Sequence, residues 1–235
     1  MQFQVKKTIK AGNSSAVILP RMWLNKEVRV ELIKKSSEQM LCEALTILSR
    51  HIRLKSIIGI YLVGSYARGE EDENSDIDIL VITKGVDKEM INEGMYNLLI
   101  TSEELLAQKL IQDLFPIGQM IHEAEPLLNS NYLKLIKIKV TKKNVKWYLD
   151  TTAEKVKIIK KYLNKSEKQK YLSDRFAYTL VLRMRTLEII KKLIQNKQYS
   201  KKEFIKMLNK ISGSKNAYEI YLAVKNNSKE QKKED

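Results

Sequence analysis

Cysteine is almost absent from this chain. Its 235 residues include one, Cys42, so no internal disulfide can form and a reducing compartment is expected. Cys42 is expected in the core rather than as a reactive thiol. No apolar run approaches the length of a membrane span. The opening Met1-Gln2-Phe3-Gln4 lacks a signal-peptide core. The expectation is a soluble, cytoplasmic protein with no membrane partner. Histidine is scarce too: His51 and His122 are the two, and none follows.

What is abundant is positive charge. The chain carries 43 Lys and Arg against 28 Asp and Glu, a net +15. The excess is uneven. Residues 1–35 hold 8 basic and 2 acidic side chains, residues 36–140 hold 10 and 16, and residues 141–235 hold 25 and 10. An acidic middle between two basic ends suggests three modules, with polyanion contacts at the ends. A lysine-rich solvated surface is the simpler account of the same numbers.

The most informative stretch is Tyr61-Leu62-Val63-Gly64-Ser65-Tyr66-Ala67-Arg68-Gly69, followed by Ser75-Asp76-Ile77-Asp78-Ile79-Leu80-Val81. The apolar run from Ile57 to Val63 predicts a buried strand. Gly64-Ser65 breaks it, as a strand-to-helix turn would. Gly64 lets backbone come close to a ligand. The Ser65 hydroxyl and the amides of a following helix suit phosphate oxygens. In the second run Asp76, Asp78 and Leu80 share one face and Ile77, Ile79 and Val81 the other. Two carboxylates that close repel unless a cation lies between them, and Mg²⁺ takes carboxylate and phosphate oxygens.

Gly-Ser followed by Asp-x-Asp at the head of an apolar strand resembles the nucleotidyltransferase superfamily related to DNA polymerase beta. It is most similar to its minimal nucleotidyltransferase branch, over roughly residues 36 to 135. The resemblance implies a mixed sheet. It implies Gly64 and Ser65 on the triphosphate of ATP or another NTP, and Asp76 and Asp78 holding Mg²⁺ and activating the attacking group. Arg68 would either reach the triphosphate or pair with the acidic loop 70–74. Active members usually carry a third carboxylate on the strand corresponding to 96–101. Here Asn97 stands at that position, able to bind a metal weakly but not to act as a base; Glu93, just before the strand, is the other candidate.

Around this motif, Ser36 to Arg53 predicts a helix, with Leu41, Leu45, Leu48 and Ile52 at helical spacing. His51 is expected to be exposed. A short helix is expected from Tyr66, a helix over Val86 to Glu93, a strand over 96–101 and a helix from Ser102 towards Phe115. The segment from Pro116 to Leu128 closes the domain with a last strand and turn. His122, Glu123 and Glu125 can be read as metal ligands, though a sheet-edge histidine is the preferred reading.

Residues 2–10, 16–19 and 28–32 read as strands, with a turn at Ala11-Gly12-Asn13-Ser14 and one helical turn from Arg21 to Leu24. So few apolar residues cannot stabilise a module of this size alone. The Gly-Asn-Ser, apolar strand, Leu-Pro and Val-x-Val elements resemble the swapped-hairpin DNA-binding domain of the AbrB/MazE type. The resemblance implies a homodimer and DNA contacts by Lys6, Lys7, Lys10 and Arg21. Trp23 is expected in its core.

Helices are expected over 144–163, 168–196, 201–211 and 217–224, with Ser200-Lys201-Lys202-Glu203 a capping box. Arg183 and Arg185 are candidates to face a nucleotide cleft. Some helical partners of minimal nucleotidyltransferases are HEPN-type ribonucleases, whose chemistry needs a histidine just after an arginine. None is available here, which disfavours that reading.

The expected fold is α+β. It comprises a small N-terminal β swapped-hairpin module (1–35), a central mixed-sheet nucleotidyltransferase domain (36–138), a helical bundle (139–226) and a disordered tail (227–235). The expected function is Mg²⁺-dependent transfer of a nucleoside monophosphate from an NTP to a protein, tRNA or small-molecule acceptor, in an antitoxin-like setting. The alternative is a dimeric DNA-binding regulator whose nucleotidyltransferase fold senses nucleotide without turnover.

Overall fold

A computed structural model describes residues 4, 6, 8–30, 35–72, 75–165, 174–213 and 216–234. The chain divides into two units, Met1–Ser36 and Ser37–Asp235.

In the first unit, β1 (Ile9–Ala11) and β2 (Ser14–Ala16) form an antiparallel hairpin about the turn at Gly12 and Asn13. A 3₁₀ turn, Arg21–Trp23, follows Pro20, as expected. Two expectations are corrected. Val17 to Leu19 lie beyond the strand, and Val28 to Val30 are not paired in a strand; residues 31–34 lie outside the described residues. The reason is the shortage of partners: apolar side chains here, such as Ile18 (67% exposed) and Val30 (69%), find no core to enter. Trp23 is half-buried rather than in a core.

The second unit starts with α1 (Ser37–Ser49), followed by a 3₁₀ turn at Leu54–Ser56. Then come β3 (Ile57–Val63), α2 (Gly64–Ala67), β4 (Ile77–Thr83), β5 (Lys88–Glu93) and β6 (Tyr96–Ser102). The domain continues with α3 (Glu103–Gln112), α4 (Ile117–Glu123), β7 (Glu125–Leu128) and α5 (Ser130–Leu135). Four long helices follow: α6 (Lys142–Lys165), α7 (Asp174–Ile194), α8 (Lys201–Ser212) and α9 (Ala217–Glu234).

The sheet is mixed, in the order β5-β6-β4-β3-β7. Only β4 and β6 run parallel. Both faces are covered, so its central strands are apolar on both sides. Ile60, Leu62, Ile77, Ile79 and Val81 pack towards Ala44, Ile47 and Leu48 of α1. Tyr61, Val63, Leu80 and Ile82 pack with Leu106 of α3 and Ile117 and Ile121 of α4. Asp78, alone in β4, escapes full burial. The helices α6 to α9 build their own core around Val181, Ile190, Phe204 and Leu208, and Leu114 and Phe115 from the sheet domain enter it.

Several local expectations change. The segment 86–93 is not a helix: Lys88–Glu93 pairs antiparallel with β6 across the turn at Gly94, whose φ is +59°. Ile91 supplies its packing against the α1-side core. A glycine turn joining two strands outweighs the modest helix propensity of Lys, Glu and Met there. His122 belongs to α4, not to a sheet edge. Cys42 is exposed on α1 rather than in the core. The last helix, expected over 217–224, continues as helical backbone to Glu234, through Lys, Gln and Glu residues that favour helix. Among the described residues no helix is long and apolar enough to cross a membrane.

Gly59 illustrates how tightly β3 is filled. A Cβ there would lie 2.0 Å from the Tyr61 hydroxyl. That fully buried tyrosine donates to the Asn129 carbonyl at 3.1 Å. Burial also pushes the Tyr61 hydroxyl up to about 12, with Tyr132 adding to the shift. Gly59→Ala is therefore expected to displace Tyr61 and destabilise the domain by about 1–3 kcal/mol. Urea unfolding checks this; a midpoint unchanged from wild type would show that the strand has slack.

Candidate active site

The site begins with a register. In the antiparallel β3–β4 pair Val63 lies opposite Asp78. The chain leaves β3 at Val63 and enters α2 at Gly64, earlier than the expected start at Tyr66. Gly64 adopts φ +74°, and a Cβ on it would lie 2.4 Å from Asp78 Oδ2. Both facts require glycine, one by backbone conformation and the other by space. The Gly-Ser turn thus rests directly against the second carboxylate of Asp-x-Asp.

The parallel β4–β6 pair supplies the next neighbour, because Asp78 lies opposite Asn97. The Asn97 side-chain amide donates to Asp78 Oδ1 at 3.0 Å. Position 97 therefore does stand beside the paired carboxylates, carrying an amide. Glu93 does not replace it: it pairs with the Arg50 guanidinium and lies 3.9 Å from His51 Nε2.

A cavity of about 380 Å³ opens over these groups. One wall holds Ser65, Arg68, Asp76 and Asp78; the other holds Arg185, Tyr199, Lys201, Tyr218, Tyr221 and Lys225. A smaller cavity of about 250 Å³ lies beside it, over Gly64, Gln119 and Glu123, and shares Ser65, Arg68, Asp78, Arg185 and Lys225. Acidic groups on one wall thus face cations on the other. Of the two arginines singled out on α7, Arg185 lines the cavity. Arg183 does not; it donates to Thr151 Oγ1 at 3.1 Å and lies over the Trp147 ring.

Arg68 lines both cavities. Its side chain is 8% exposed and held between two carboxylates. Nε donates to Glu70 Oε2 at 3.0 Å, and Nη1 to Glu123 Oε2 at 2.6 Å. Of its two expected roles, pairing with the acidic loop is the one the geometry displays. Glu123, 5% exposed, also accepts the Gly64 N–H at 2.8 Å. It is committed to this network rather than to a metal site with His122 and Glu125.

Tyr199 and Tyr218 are neutral at physiological pH. Burial pushes the Tyr199 hydroxyl up to about 12, partly opposed by the Arg185 and Arg68 charges. Burial likewise raises Tyr218, against the pull of Arg185. For Arg185 itself burial works against the charge, but Tyr199 and Tyr221 outweigh it and hold its pKa above the ordinary arginine value. That guanidinium lies 5.5 Å from the Tyr199 ring centre.

Among the described residues no three His, Cys, Asp or Glu side chains group as a complete metal site. A hard cation fits nonetheless. Asp76 and Asp78 line one cavity and supply two carboxylates, and Mg²⁺ commonly takes one or two from protein and the rest from phosphate and water.

A sequence profile of the nucleotidyltransferase domain matches residues 41–215. The chain belongs to the nucleotidyltransferase family. That membership supports a nucleotidyl transfer function. The match spans the sheet domain and α6 to α8, and ends before α9. Among solved structures, the chain is similar to a nucleotidyltransferase-like protein from Exiguobacterium sibiricum 255-15. The two share 15% identity, over 77% of this chain and 66% of that one, with a TM-score of 0.33. A score that low carries no argument. No curated protein matches the chain.

The sequence pointed to Gly64, Ser65, Asp76, Asp78 and Asn97, which the structure brings together. Lys6, Lys10 and Arg21 are exposed on the N-terminal unit, and Lys7 lies outside the described residues. Tyr199, Lys201, Tyr218, Tyr221 and Lys225 went unrecognised, because a helical stripe of Tyr and Lys looks like any half-buried face. Gly64→Ala should destabilise the domain by roughly 1–3 kcal/mol in urea unfolding, since the strain falls on the Asp78 contact. Gly69 also has positive φ, +62°, but no atom within 4 Å of a built Cβ. Gly69→Ala should cost less stability than Gly64→Ala in the same measurement, since only the backbone strain applies.

Proposed function

We propose that this nucleotidyltransferase moves a nucleoside monophosphate from an NTP, with ATP the first candidate, to an acceptor hydroxyl on RNA, protein or a small molecule. The observation that carries the reading is that Asp76 and Asp78 share one cavity with Arg185, Lys201 and Lys225, which Ser65 of the Gly-Ser turn also lines. A volume of about 380 Å³ is in the range of small-molecule sites.

In this reading Ser65 and the turn hold the β- and γ-phosphates. Asp76 and Asp78 would hold Mg²⁺, which supplies charge stabilisation at the phosphates when bound. Arg185 and Lys225 offset the remaining phosphate charge from the helical wall. The acceptor oxygen bonds to the α-phosphorus, the α–β phosphoanhydride bond breaks and pyrophosphate leaves. The hydroxyl proton passes to an Asp76 or Asp78 carboxylate oxygen. Asn97 cannot take that proton. It holds Asp78 Oδ1 instead, so the pair must serve both as metal ligands and as base.

For the N-terminal unit we read a second copy of the chain as the partner, with Lys6, Lys10 and Arg21 towards DNA phosphates. Ile18, Met22, Leu24 and Val30 are each at least two-thirds exposed within one chain, which favours a surface completed by another copy. Ile18→Lys/Val30→Lys is expected to shift the full chain from dimer to monomer in sedimentation velocity. A monomeric wild type would remove this reading.

Incubation with α-labelled NTPs, Mg²⁺ and cellular RNA or protein tests the transferase. Label is expected on one acceptor with wild type and not with Asp76→Ala or Asp78→Ala. Asn97→Asp, adding a third carboxylate, should tighten Mg²⁺ about tenfold. Absence of label with retained MgATP binding would instead assign the site to nucleotide sensing.

A further inference from the structure

A continuous run of part-buried hydrogen bonds leads from the Gly-Ser turn to the helical bundle. It starts at the Gly64 N–H, which donates to Glu123 Oε1 at 2.8 Å. The other oxygen of Glu123 accepts from Arg68 Nη1 at 2.6 Å and from Gln119 Nε2 at 3.3 Å. Arg68 Nε then donates to Glu70 Oε2 at 3.0 Å. Glu70 Oε1 accepts from Ser200 Oγ at 3.0 Å and from the Lys201 backbone N–H at 2.7 Å. Four elements are thereby joined: α4, α2, the loop after Gly69 and the first turn of α8.

Three features separate this run from ordinary surface ion pairing. The Arg68, Glu70 and Glu123 side chains are 8%, 18% and 5% exposed. Arg68 lies between two carboxylates, and each carboxylate takes its remaining hydrogen bonds from neutral donors, so loosening Arg68 leaves both desolvated and uncompensated. The capping at α8 is also rearranged. Ser200 Oγ accepts the Glu203 N–H, as a capping box requires. The Glu203 carboxylate, however, turns to Lys192, and Glu70 accepts the Lys201 N–H of the first turn. The helix start is thus satisfied by a residue from the nucleotide-site loop, 130 positions away in sequence.

We propose that Glu70 and Glu123 are positioning residues, which act through Arg68 to lock the Gly64-Ser65 turn to the start of α8. The two cavity walls then keep one spacing, with Asp76, Asp78 and Ser65 on one side and Tyr199 and Lys201 on the other. The aromatic ring of Tyr199, next to Ser200, reinforces the link: the Arg68 guanidinium lies 5.6 Å from its centre. The consequence for nucleotide affinity rests on the transferase reading above; the coupling between turn and helix does not.

The test uses the full chain carrying Glu70→Ala, Glu123→Ala or both. Glu70 does not touch Gly64, so a purely local cap would leave the turn unchanged. Amide hydrogen exchange at Gly64 and Lys201 is the first readout, and MgATP binding by titration calorimetry the second. Glu70→Ala is expected to speed exchange at both amides about tenfold and to weaken MgATP about tenfold. The double variant is expected to be no worse than Glu123→Ala alone, as members of one network behave. In the transfer assay the KM for MgATP should rise while kcat stays within about twofold of wild type. Faster exchange at Lys201 alone, or additive losses, would overturn the proposal. If the alanine variants fail to fold, Glu70→Gln keeps the shape and removes the charge. It should still speed Gly64 exchange about threefold, and no change would overturn the proposal equally. A wild-type chain that binds no MgATP would sink the transferase reading, while Gly64 exchange in the Glu70 variants would still decide the coupling.

Discussion

The antiparallel pairing of β3 with β4 is the constraint on which the site depends. It puts Val63 opposite Asp78 and so delivers the Gly-Ser turn onto a carboxylate. Gly64 then has no room for a side chain. The same strand pairs in parallel with β6, which sets Asn97 on the other flank of Asp78. Three separate stretches of sequence meet because two neighbouring ladders fix their registers. A slip of one residue in either would turn Asp78 into the apolar layer that holds Ile77 and Ile79.

The charge distribution has a matching logic. The acidic middle of the chain concentrates carboxylates on the sheet domain, and the basic C-terminal third faces them with Arg185, Lys201 and Lys225. A cavity walled by opposite charges suits a ligand that is itself anionic and metal-bound, since each wall can neutralise one component. The helices are therefore half of the site rather than an appendage to it. The profile match running to residue 215 agrees with this, because it does not stop at the end of the sheet.

Arginine illustrates how burial redirects a side chain. Arg68 follows the Gly-Ser turn closely and has the chemistry to bind phosphate. In the folded protein its guanidinium is already enclosed by Glu70 and Glu123. Desolvated charges settle where their partners are fixed, and both carboxylates here are fixed by helices. Arg185, further along the chain and in an apolar-looking helix, lines the opposite wall of the cavity.

What the sequence determined by itself was the local chemistry. Strand alternation put Asp76 and Asp78 on one side, an apolar run ended at Gly64-Ser65, and helical stripes marked the bundle. These signals depend on neighbours within a few residues, so they are legible without a fold. The segment 86–93 shows the limit. Its helix-tolerant residues became a strand because β6 offered a ladder across the Gly94 turn. Tertiary structure alone decided three further things: that Asn97 lies against Asp78, that Glu70 caps a helix 130 residues away, and that the second cavity wall comes from α7, α8 and α9. Each is a contact between distant parts of the chain, created by packing and strand register, and no periodicity along the sequence encodes it.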